Sequence, residues 1–496
     1  MRVSIGIDLG SSRVKILALD ESGESLGVTT ASYPTESRLP GYAEQKPDRW
    51  WDAVRLAMSE LLAKPAVRGA TIEAIGLTGQ SHGAVCLDES LAPIRAALIW
   101  SDARAQAEAE EIEVRIPRHE LVAITGNRSS LNFTAPRIMW LARHEPEIMA
   151  RTRWIVQPKD ALRARLTGSV GGDVSDASAT LLFDLKARDW SDEICRRLDI
   201  DRARLAPLCE SEHSAGELLA EAAKSLGLPA GIAVSAGGAD APSAALGLGL
   251  AREMDANGTV LISLGTGGQV LAPVAEPRTD TEGRLHGLAH VVPEQWCVMA
   301  AILAAAASLD WAVHLMSPED PGGLRDLLAA AAKVPAGSDG LLFLPYLRGE
   351  RTPHFDPAAR GAMIGLHIGH GQGHVTRAVL EGVALALGEG LDLMRAAGVE
   401  ARAGVVAGGG VNRLWQQILA DVMNMPVTLG ATEHASARGA ALLGAVAGGI
   451  LPSAATGTLP LPADTRVMEP DPANVQRYAD LTGTYRELYG RLPKIS

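Results

Sequence analysis

Two glycine-rich turns, about half of the chain apart, carry residues that could hold a phosphate chain. Each turn offers backbone N–H groups and small hydroxyls, and glycine has no Cβ that would block an approaching phosphate. The candidate phosphate ligands are Gly10, Ser11 and Ser12 in the first turn, and Gly265, Thr266 and Gly267 in the second. One such turn in each half predicts two lobes that close on one polyphosphate.

Asp8 lies at the end of the apolar run that enters the first turn. A carboxylate beside a phosphate cradle is repelled by the phosphate unless a cation lies between them, and Mg²⁺ prefers oxygen ligands. We therefore predict that Asp8 orients Mg²⁺. The alternative is an ordinary aspartate that caps the turn.

Both turns connect one apolar run to another, which predicts a strand that returns as its antiparallel neighbour. The runs are Val3–Ile7 and Val14–Leu19 at the first turn, and Val260–Ile262 and Val270–Val274 at the second. This pattern differs from a Walker loop, whose string the chain lacks, and from a dinucleotide fingerprint, which opens a helix. Taken alone, one such unit is usually a plain hairpin, but its repetition at Gly10 and Gly265, with Asp8 at one strand end, favours a phosphate site.

The 496 residues are too many for a single core, and we predict two domains, residues 1–248 and 249–496. A formal net charge of −12 argues against nucleic acid and anionic membranes as partners. The longest apolar run, Val298–Ala307, is too short to span a membrane, and its alanines predict a buried helix.

The cysteines are scattered along the chain as Cys86, Cys195, Cys209 and Cys297. This spacing predicts reduced thiols, with neither a disulfide framework nor a zinc site. The chain enters its first predicted strand at once, which leaves no room for a signal peptide, and we predict a cytoplasmic protein.

Periodicity predicts the elements that position these residues. The main predicted helices are 47–62, 300–316, 324–332 and 373–397, a helix that begins near Pro242, and a mostly helical region over 103–215. Trp50 and Trp51 continue an apolar stripe and are predicted to lie in the core. The strand 404–407 ends in a triple-glycine corner before a helix that runs to Met423.

Two longer motifs resemble the signatures of the FGGY family of carbohydrate kinases. One is Gly361–Leu366 followed by His374–Glu381, and the other is Asn132–Trp140, in which Arg137 replaces the usual lysine. Supporting strings are residues 44–51, 79–83, 100–104, 158–160, 173–178 and 345–354. Within the family the chain is most similar to the xylulokinases. The resemblance implies an α/β fold of two actin-like (ribonuclease H-like) ATPase domains with a central cleft.

The same resemblance implies roles for individual residues. Asp240, which follows a Gly-Gly turn at a strand end, is the implied general base, with a helix N-cap as the alternative. The implied adenosine ligands are Gly408, Gly409 and Asn412, the last of which could equally cap its helix. The implied sugar ligands are Gln80, Ser81, His82 and Asp240. Asp102 and Arg104 are predicted to form a structural ion pair.

The predicted activity is the ATP- and Mg²⁺-dependent phosphorylation of a ketopentose, with D-xylulose 5-phosphate as the first choice of product. Ser81 and Ala241 stand where xylulokinases usually have methionine and asparagine, so ribulose or another ketose or polyol remains an alternative. A different class of alternative is an actin-like ATPase without a metabolic role, or a sugar sensor that has lost catalysis. A homodimer is compatible with these readings.

Overall fold

The computed structural model describes residues 1–250, 258–317, 323–408, 411–430, 434–455 and 466–492. Within these residues the first sheet has seven strands, which are β1 (Arg2–Leu9), β2 (Arg13–Asp20), β3 (Ser25–Ser32), β4 (Thr71–Gly79), β5 (Ser214–Glu217), β6 (Ala233–Ser235) and β7 (Gly238–Ala239). Their order is β5-β6-β4-β1-β2-β3, with β7 alongside the end of β4. β1 and β2 pair antiparallel, as the apolar runs around the first turn predict, β3 pairs antiparallel with β2, and β4 joins β1 in parallel.

The second sheet repeats this arrangement. Among the described residues its strands are β8 (Thr259–Leu264), β9 (Gly268–Val274), β10 (His286–Ala289), β11 (Trp296–Ile302), β12 (Ala403–Ala407), β13 (Val427–Leu429) and β14 (Val467–Met468). Their order is β10-β11-β9-β8-β12-β13-β14. Strands β8, β9 and β11 pair antiparallel, and β12 joins β8 in parallel, as β4 joins β1. The predicted duplication of a strand–turn–strand unit is therefore confirmed.

Helices cover and connect the two sheets. In the described part of the chain they are α1 (Pro47–Leu62), α2 (Gln106–Arg115), α3 (Arg118–Thr125), α4 (Thr134–His144), α5 (Pro146–Arg151), α6 (Pro158–Thr167), α7 (Val174–Ala177), α8 (Asp192–Arg197), α9 (Ala220–Leu226), α10 (Asp240–Gly247), α11 (Ala306–Met316), α12 (Gly323–Ala331), α13 (Gln372–Ala396), α14 (Arg413–Met423), α15 (Ala435–Ala447) and α16 (Pro472–Arg491). Short strand pairs interrupt the helical region of the first half, for example Val85–Leu87 with Trp154–Val156.

Helix α1 has the bounds that its apolar spacing predicts. Pro47 lies in its first turn, where a missing N–H costs nothing, and Asp48 complements the positive end of the helix dipole. Trp50 and Trp51 are buried in the first core, as predicted, together with Val54 and Met58. The helix therefore covers one face of the first sheet.

The predicted helix over Val298–Ala307 is wrong. Residues up to Ile302 form β11, which pairs with β9 on one side and β10 on the other, and α11 begins only at Ala306. All residues of this strand except Trp296 are buried, so both faces of the sheet are covered here, and a strand covered on both faces has a continuous apolar sequence. The helix predicted to start near Pro242 begins two residues earlier, at Asp240.

A helix from the second half of the chain packs directly on the first sheet. A Cβ placed on Gly6 of β1 would lie 1.9 Å from the Ala437 carbonyl oxygen, and one on Gly76 of β4 would lie 1.7 Å from that of Ala440. Both carbonyls belong to α15, so the close approach requires glycine on the sheet. The opposite side of α15 packs on α10, which begins at Asp240. These contacts fix the strand ends of both halves relative to each other.

Among the residues that the structure describes, no helix has both the length and the apolar composition needed to cross a bilayer.

Candidate active site

A cavity of about 260 Å³ brings together side chains from both halves of the chain. Of the predicted site residues it is lined by Ser11, Gln80, Ser81, His82, Asp240, Gly265, Thr266 and Gly267. The two glycine-rich turns therefore face one shared space, with the candidate base between them. Asp8, Gly10, Ser12, Gly408 and Asn412 lie outside the lining that the described residues form.

The first turn is held in place by side chains from three directions. The Tyr33 hydroxyl donates to the Gly10 carbonyl, the Gln45 amide donates to the Ser11 carbonyl at 2.7 Å, and Trp100 Nε1 donates to Ser11 Oγ at 2.7 Å. The Gly10 N–H is used inside the turn, where it donates to the Arg13 carbonyl at 3.1 Å. The donors that this turn presents to a ligand are therefore expected at Ser11 and Ser12.

The second turn rests on the N-terminus of α11. The Ala305 and Ala306 N–H groups donate to the Thr266 and Gly265 carbonyls, both at 2.9 Å. Both Gly265 and Thr266 are exposed, so their remaining polar groups are accessible from the cavity. The positive end of a helix dipole beside an exposed Gly-Thr turn favours a bound anion.

Asp240 is the first residue of α10, and the N-cap is Ala239. Asp240 Oδ1 accepts a hydrogen bond from the Ala241 N–H at 2.8 Å. The Ala239 N–H donates to Ser175 Oγ at 2.9 Å. The side chain is exposed to the open cavity, but the walls of the cavity keep bulk water away from much of the carboxylate. This burial, together with the negative charge of Asp8, raises the pKa of Asp240 to about 6. Such a carboxylate is ionised at neutral pH and still basic enough to accept a proton from an alcohol.

Asp8 is buried at the end of β1, where Lys15 Nζ lies 3.4 Å from its Oδ2. Burial raises the pKa of Asp8, and Lys15 opposes this effect. Two acidic groups that repel each other beside a phosphate turn fit a divalent cation, whose charge would compensate both. Among the described residues no group of three or more His, Cys, Asp or Glu could hold a metal by itself. That donor set suits Mg²⁺, which commonly takes one or two carboxylates together with substrate phosphates.

The predicted sugar loop presents both donors and acceptors. Gln80 Nε2 donates to Gln45 Oε1 at 2.9 Å, and Gln80 Oε1 is buried and has no hydrogen-bond partner among the residues that the structure describes. Ser81 Oγ is also buried and lies near the Asp176 carboxyl, whose pKa burial raises and a hydrogen bond from Ser81 lowers. His82 Nδ1 lies 2.6 Å from the Ala179 carbonyl oxygen and must carry the proton, so Nε2 is an acceptor. Burial and the charge of Arg351 lower the pKa of His82 to about 3, which keeps the ring neutral.

Arg137, the residue that departs from the family signature, connects the sugar loop to its surroundings. Its guanidinium is fully buried and donates to the backbone carbonyls of His82, Trp100, Asp102, Asn132 and Phe133. Only a planar side chain with several N–H groups can serve so many acceptors at once. The predicted Asp102–Arg104 ion pair lies beside Arg137, and Arg104 Nη2 is 2.8 Å from Asp102 Oδ2.

We expect Arg137→Lys to lower the stability of the protein and weaken sugar binding. A lysine ammonium has three donors on a flexible stem, so several of the carbonyls would lose their partner, at a cost of about 1–3 kcal/mol. The KM for the sugar should rise several-fold while kcat changes little, because Asp240 is untouched. Thermal unfolding and steady-state kinetics measure both effects. Arg143→Lys, on the exposed face of the same helix α4, is the matched control, and equal behaviour of the two variants would contradict this role.

The predicted adenosine corner follows β12. Gly408 has a φ of 140°, and a Cβ there would lie 2.1 Å from the Leu264 carbonyl oxygen, so the corner is closed tightly against the end of β8. The Asn412 side chain accepts a hydrogen bond from the Trp415 N–H at 3.0 Å and caps α14. This is the helix-cap role considered for Asn412, and it leaves the adenosine role untested. Gly409 lies outside the described residues.

Sequence reasoning did not assign a role to three residues that line the cavity, Trp100, Met299 and Arg351. Trp100 and Arg351 lie within family strings, and a polar group in such a string is the signal that could have identified them. Met299 lies on β11, which the sequence predicted as a helix, so its exposure to the cavity could not be anticipated.

Comparisons with known proteins cover almost the whole chain. A family model described as the N-terminal domain of the FGGY family of carbohydrate kinases matches residues 3–247, and its C-terminal counterpart matches residues 260–448. The chain is 37% identical to the xylulose kinase of Escherichia coli (strain K12) over 98% of its length and 99% of that protein. It is 35% identical to the xylulose kinase of Bacillus subtilis (strain 168), over 99% and 97% of the two chains. The crystal structure of xylulose kinase from Rhodospirillum rubrum superimposes with a TM-score of 0.89 at 30% identity, covering 99% of both chains.

Proposed function

Because this chain belongs to the FGGY family of carbohydrate kinases, we propose that it transfers the γ-phosphoryl group of ATP to D-xylulose, forming D-xylulose 5-phosphate. Membership confirms the resemblance seen in the sequence, makes the chain a carbohydrate kinase with the two-domain fold of that family, and implies ATP as a substrate. It also removes the alternative of an actin-like ATPase without a metabolic role.

The observation that carries the proposal is the shared cavity. Its lining includes Asp240, whose pKa is raised to about 6, together with a loop suited to sugar hydroxyls and a turn suited to phosphate, and this combination supports the proposal. In-line phosphoryl transfer needs these three elements in one space, because most of the catalysis consists of positioning and charge stabilisation.

In the proposed mechanism Gln80, Ser81 and His82 bind the sugar hydroxyls, and Asp240 accepts the proton of the attacking hydroxyl. The turns at Ser11–Ser12 and Gly265–Gly267 hold the phosphates through N–H and O–H groups. Asp8 would hold Mg²⁺, which neutralises phosphate charge when it is bound. Closure of the two halves would exclude water, so that the phosphoryl group passes to the sugar and is not hydrolysed. The corner at Gly408, Gly409 and Asn412 is proposed to receive the adenosine.

A panel of sugars in a coupled ADP-release assay tests the proposed substrate. D-Xylulose, D- and L-ribulose and the pentitols belong in the panel because Ser81 and Ala241, both lining the cavity, are the positions that depart from xylulokinases. If kcat/KM is higher for ribulose than for D-xylulose, ribulose is the substrate. If the folded protein turns over no sugar, the proposed kinase activity is refuted. The boundary at residue 248, the cytoplasmic location and the homodimer stay predictions.

We expect kcat/KM for the sugar to fall about tenfold per pH unit below pH 6. The base must be ionised, and Asp240 with its raised pKa becomes protonated as the pH falls through about 6. Above that value the rate should reach a plateau. MgATP brings a cation towards Asp8, so the acid limb of kcat should lie at a lower pH than that of kcat/KM. An acid limb of kcat/KM centred near pH 4, where an unperturbed aspartate titrates, would contradict the assignment.

A further inference from the structure

A short segment of the second half brings Arg351 to the sugar cavity. The Thr352 N–H donates to the Ala301 carbonyl at 3.0 Å, and Thr352 Oγ1 accepts from the Ala301 N–H at 3.2 Å. On the other side of Arg351, the Glu350 carboxyl accepts from the Leu303 N–H at 3.1 Å. Both neighbours of Arg351 are thus fixed to the end of β11, which pairs with the phosphate turn through Ile302 and Gly268. Its position relative to that turn is therefore well defined.

The Arg351 guanidinium lies where two spaces meet. It lines the 260 Å³ cavity with Asp240 and His82, and also a second, larger cavity of about 610 Å³, here called the outer cavity. Among the described residues its Nε has no hydrogen-bond partner, and no carboxylate forms an ion pair with the guanidinium. The neighbouring Glu350 carboxyl accepts hydrogen bonds from the Leu303 and Arg351 N–H groups, and burial raises the pKa of this carboxyl to about 8, which weakens it as a counter-charge for the guanidinium. A half-buried cation without a partner is costly unless a ligand supplies acceptors.

Arg351 lies at the His82 end of the cavity. The Arg351 carbonyl accepts a hydrogen bond from the Phe355 N–H at 2.6 Å, and the Phe355 ring centroid lies 5.6 Å from that of His286. A row of rings joins the same region, from His82 to Phe133 (5.0 Å between centroids) and from there to His286 (5.9 Å). A sugar whose reacting hydroxyl is held by Asp240 would therefore present its other end to Arg351.

The chemistry of the proposed reaction identifies what lies at that end. A 2-ketopentose closes its five-membered ring through the C5 oxygen, so the C5 hydroxyl can attack ATP only when the sugar is in its open-chain form. In that form the C2 carbonyl is free. A carbonyl oxygen only accepts hydrogen bonds, and a guanidinium only donates them.

We propose that Arg351 donates a hydrogen bond to the C2 carbonyl oxygen of the open-chain ketose. Arg351 is then a residue of the second half that determines the preference for ketoses over the corresponding alditols. This inference rests on the proposed function. His82 Nε2, an acceptor, complements Arg351 because it can accept a hydrogen bond from a hydroxyl at the same end of the sugar.

The test compares D-xylulose with xylitol and D-arabinitol, the two alditols formed by its reduction. For Arg351→Met we expect kcat/KM for D-xylulose to fall about 10- to 100-fold, because the variant loses one charge-assisted hydrogen bond to the substrate. The affinity for the alditols, measured as substrates or as competitive inhibitors, should change by less than about threefold, because a hydroxyl can donate elsewhere. The KM for ATP should stay constant. Arg351→Lys, which keeps a donor, should lie between the two.

The control is Arg348→Met, which removes an exposed arginine of the same segment that lines only the outer cavity. Its ketose preference should equal that of the wild type. Equal losses for ketose and alditols in Arg351→Met, or a raised KM for ATP, would overturn the inference in favour of a phosphate contact or a structural role. If thermal unfolding shows that Arg351→Met does not fold, the ketose preference of Arg351→Lys decides the test. If the wild type phosphorylates D-xylulose but the variants keep its preference for the ketose over the alditols, this inference alone is overturned. If the wild type turns over no ketose, the proposed function is overturned as well.

Discussion

Replacing Asp240 by asparagine is expected to lower kcat by about 10²- to 10⁴-fold, the range that general-base catalysis usually contributes. The amide oxygen can still accept the Ala241 N–H, so the start of α10 should stay intact. The amide cannot take a proton from the attacking hydroxyl. Because the phosphate turns are unchanged, the affinity for ATP should remain within about twofold.

Single-turnover and steady-state assays measure the loss, and the binding of a nucleotide analogue checks the affinity for ATP. Asp310→Asn removes an exposed carboxylate from α11 and serves as the matched control for the change in charge. A slow residual rate should also lose the acid limb near pH 6, since that limb belongs to Asp240. Substantial turnover with the acid limb intact would assign the base to another carboxylate.

The elements that position the base were largely predictable from the sequence. The strand–turn–strand units have a strong signal, because apolar runs on either side of a Gly/Ser/Thr turn specify an antiparallel pair. Helix α1 was predicted to the residue from its apolar stripe and Pro47. Strand β11 was not, because a strand buried on both faces has no period that distinguishes it from a buried helix. Its identity depends on pairing with β9, a long-range contact that no local window contains.

The site residues that lie close together in the sequence were predictable, and those that come from separate segments were not. The turns and the loop at Gln80–His82 are continuous in sequence, and most of their residues line the cavity as expected. Arg351 and Trp100 reach the cavity from separate segments, and their roles depend on the juxtaposition of the two halves. The five carbonyls served by Arg137 belong to three different loops. A motif indicates that such a residue is constrained, but only the fold identifies its partners.

Replacing Asp8 by asparagine is expected to lower kcat about 100-fold and to raise the Mg²⁺ concentration needed for half-maximal activity at least tenfold. The amide keeps the shape of the side chain and an oxygen for Lys15 but loses the charge that would hold the cation. Stabilisation of phosphate charge by a metal contributes several kcal/mol, and 1.36 kcal/mol corresponds to a tenfold change in rate. Activity titrated against Mg²⁺ at fixed ATP measures both quantities.

The pH profile of the same variant separates a role in metal binding from a merely structural one. The negative charge of Asp8 raises the pKa of Asp240, so its removal should move the acid limb of kcat/KM below pH 6, even as the rate falls. Asp52→Asn, an exposed carboxylate on α1, should change neither the Mg²⁺ requirement nor the acid limb. A lower rate with an unchanged Mg²⁺ requirement would remove Asp8 from the metal site. An unshifted acid limb would instead separate Asp8 from the base, because two carboxylates that repel each other in one cleft cannot titrate independently.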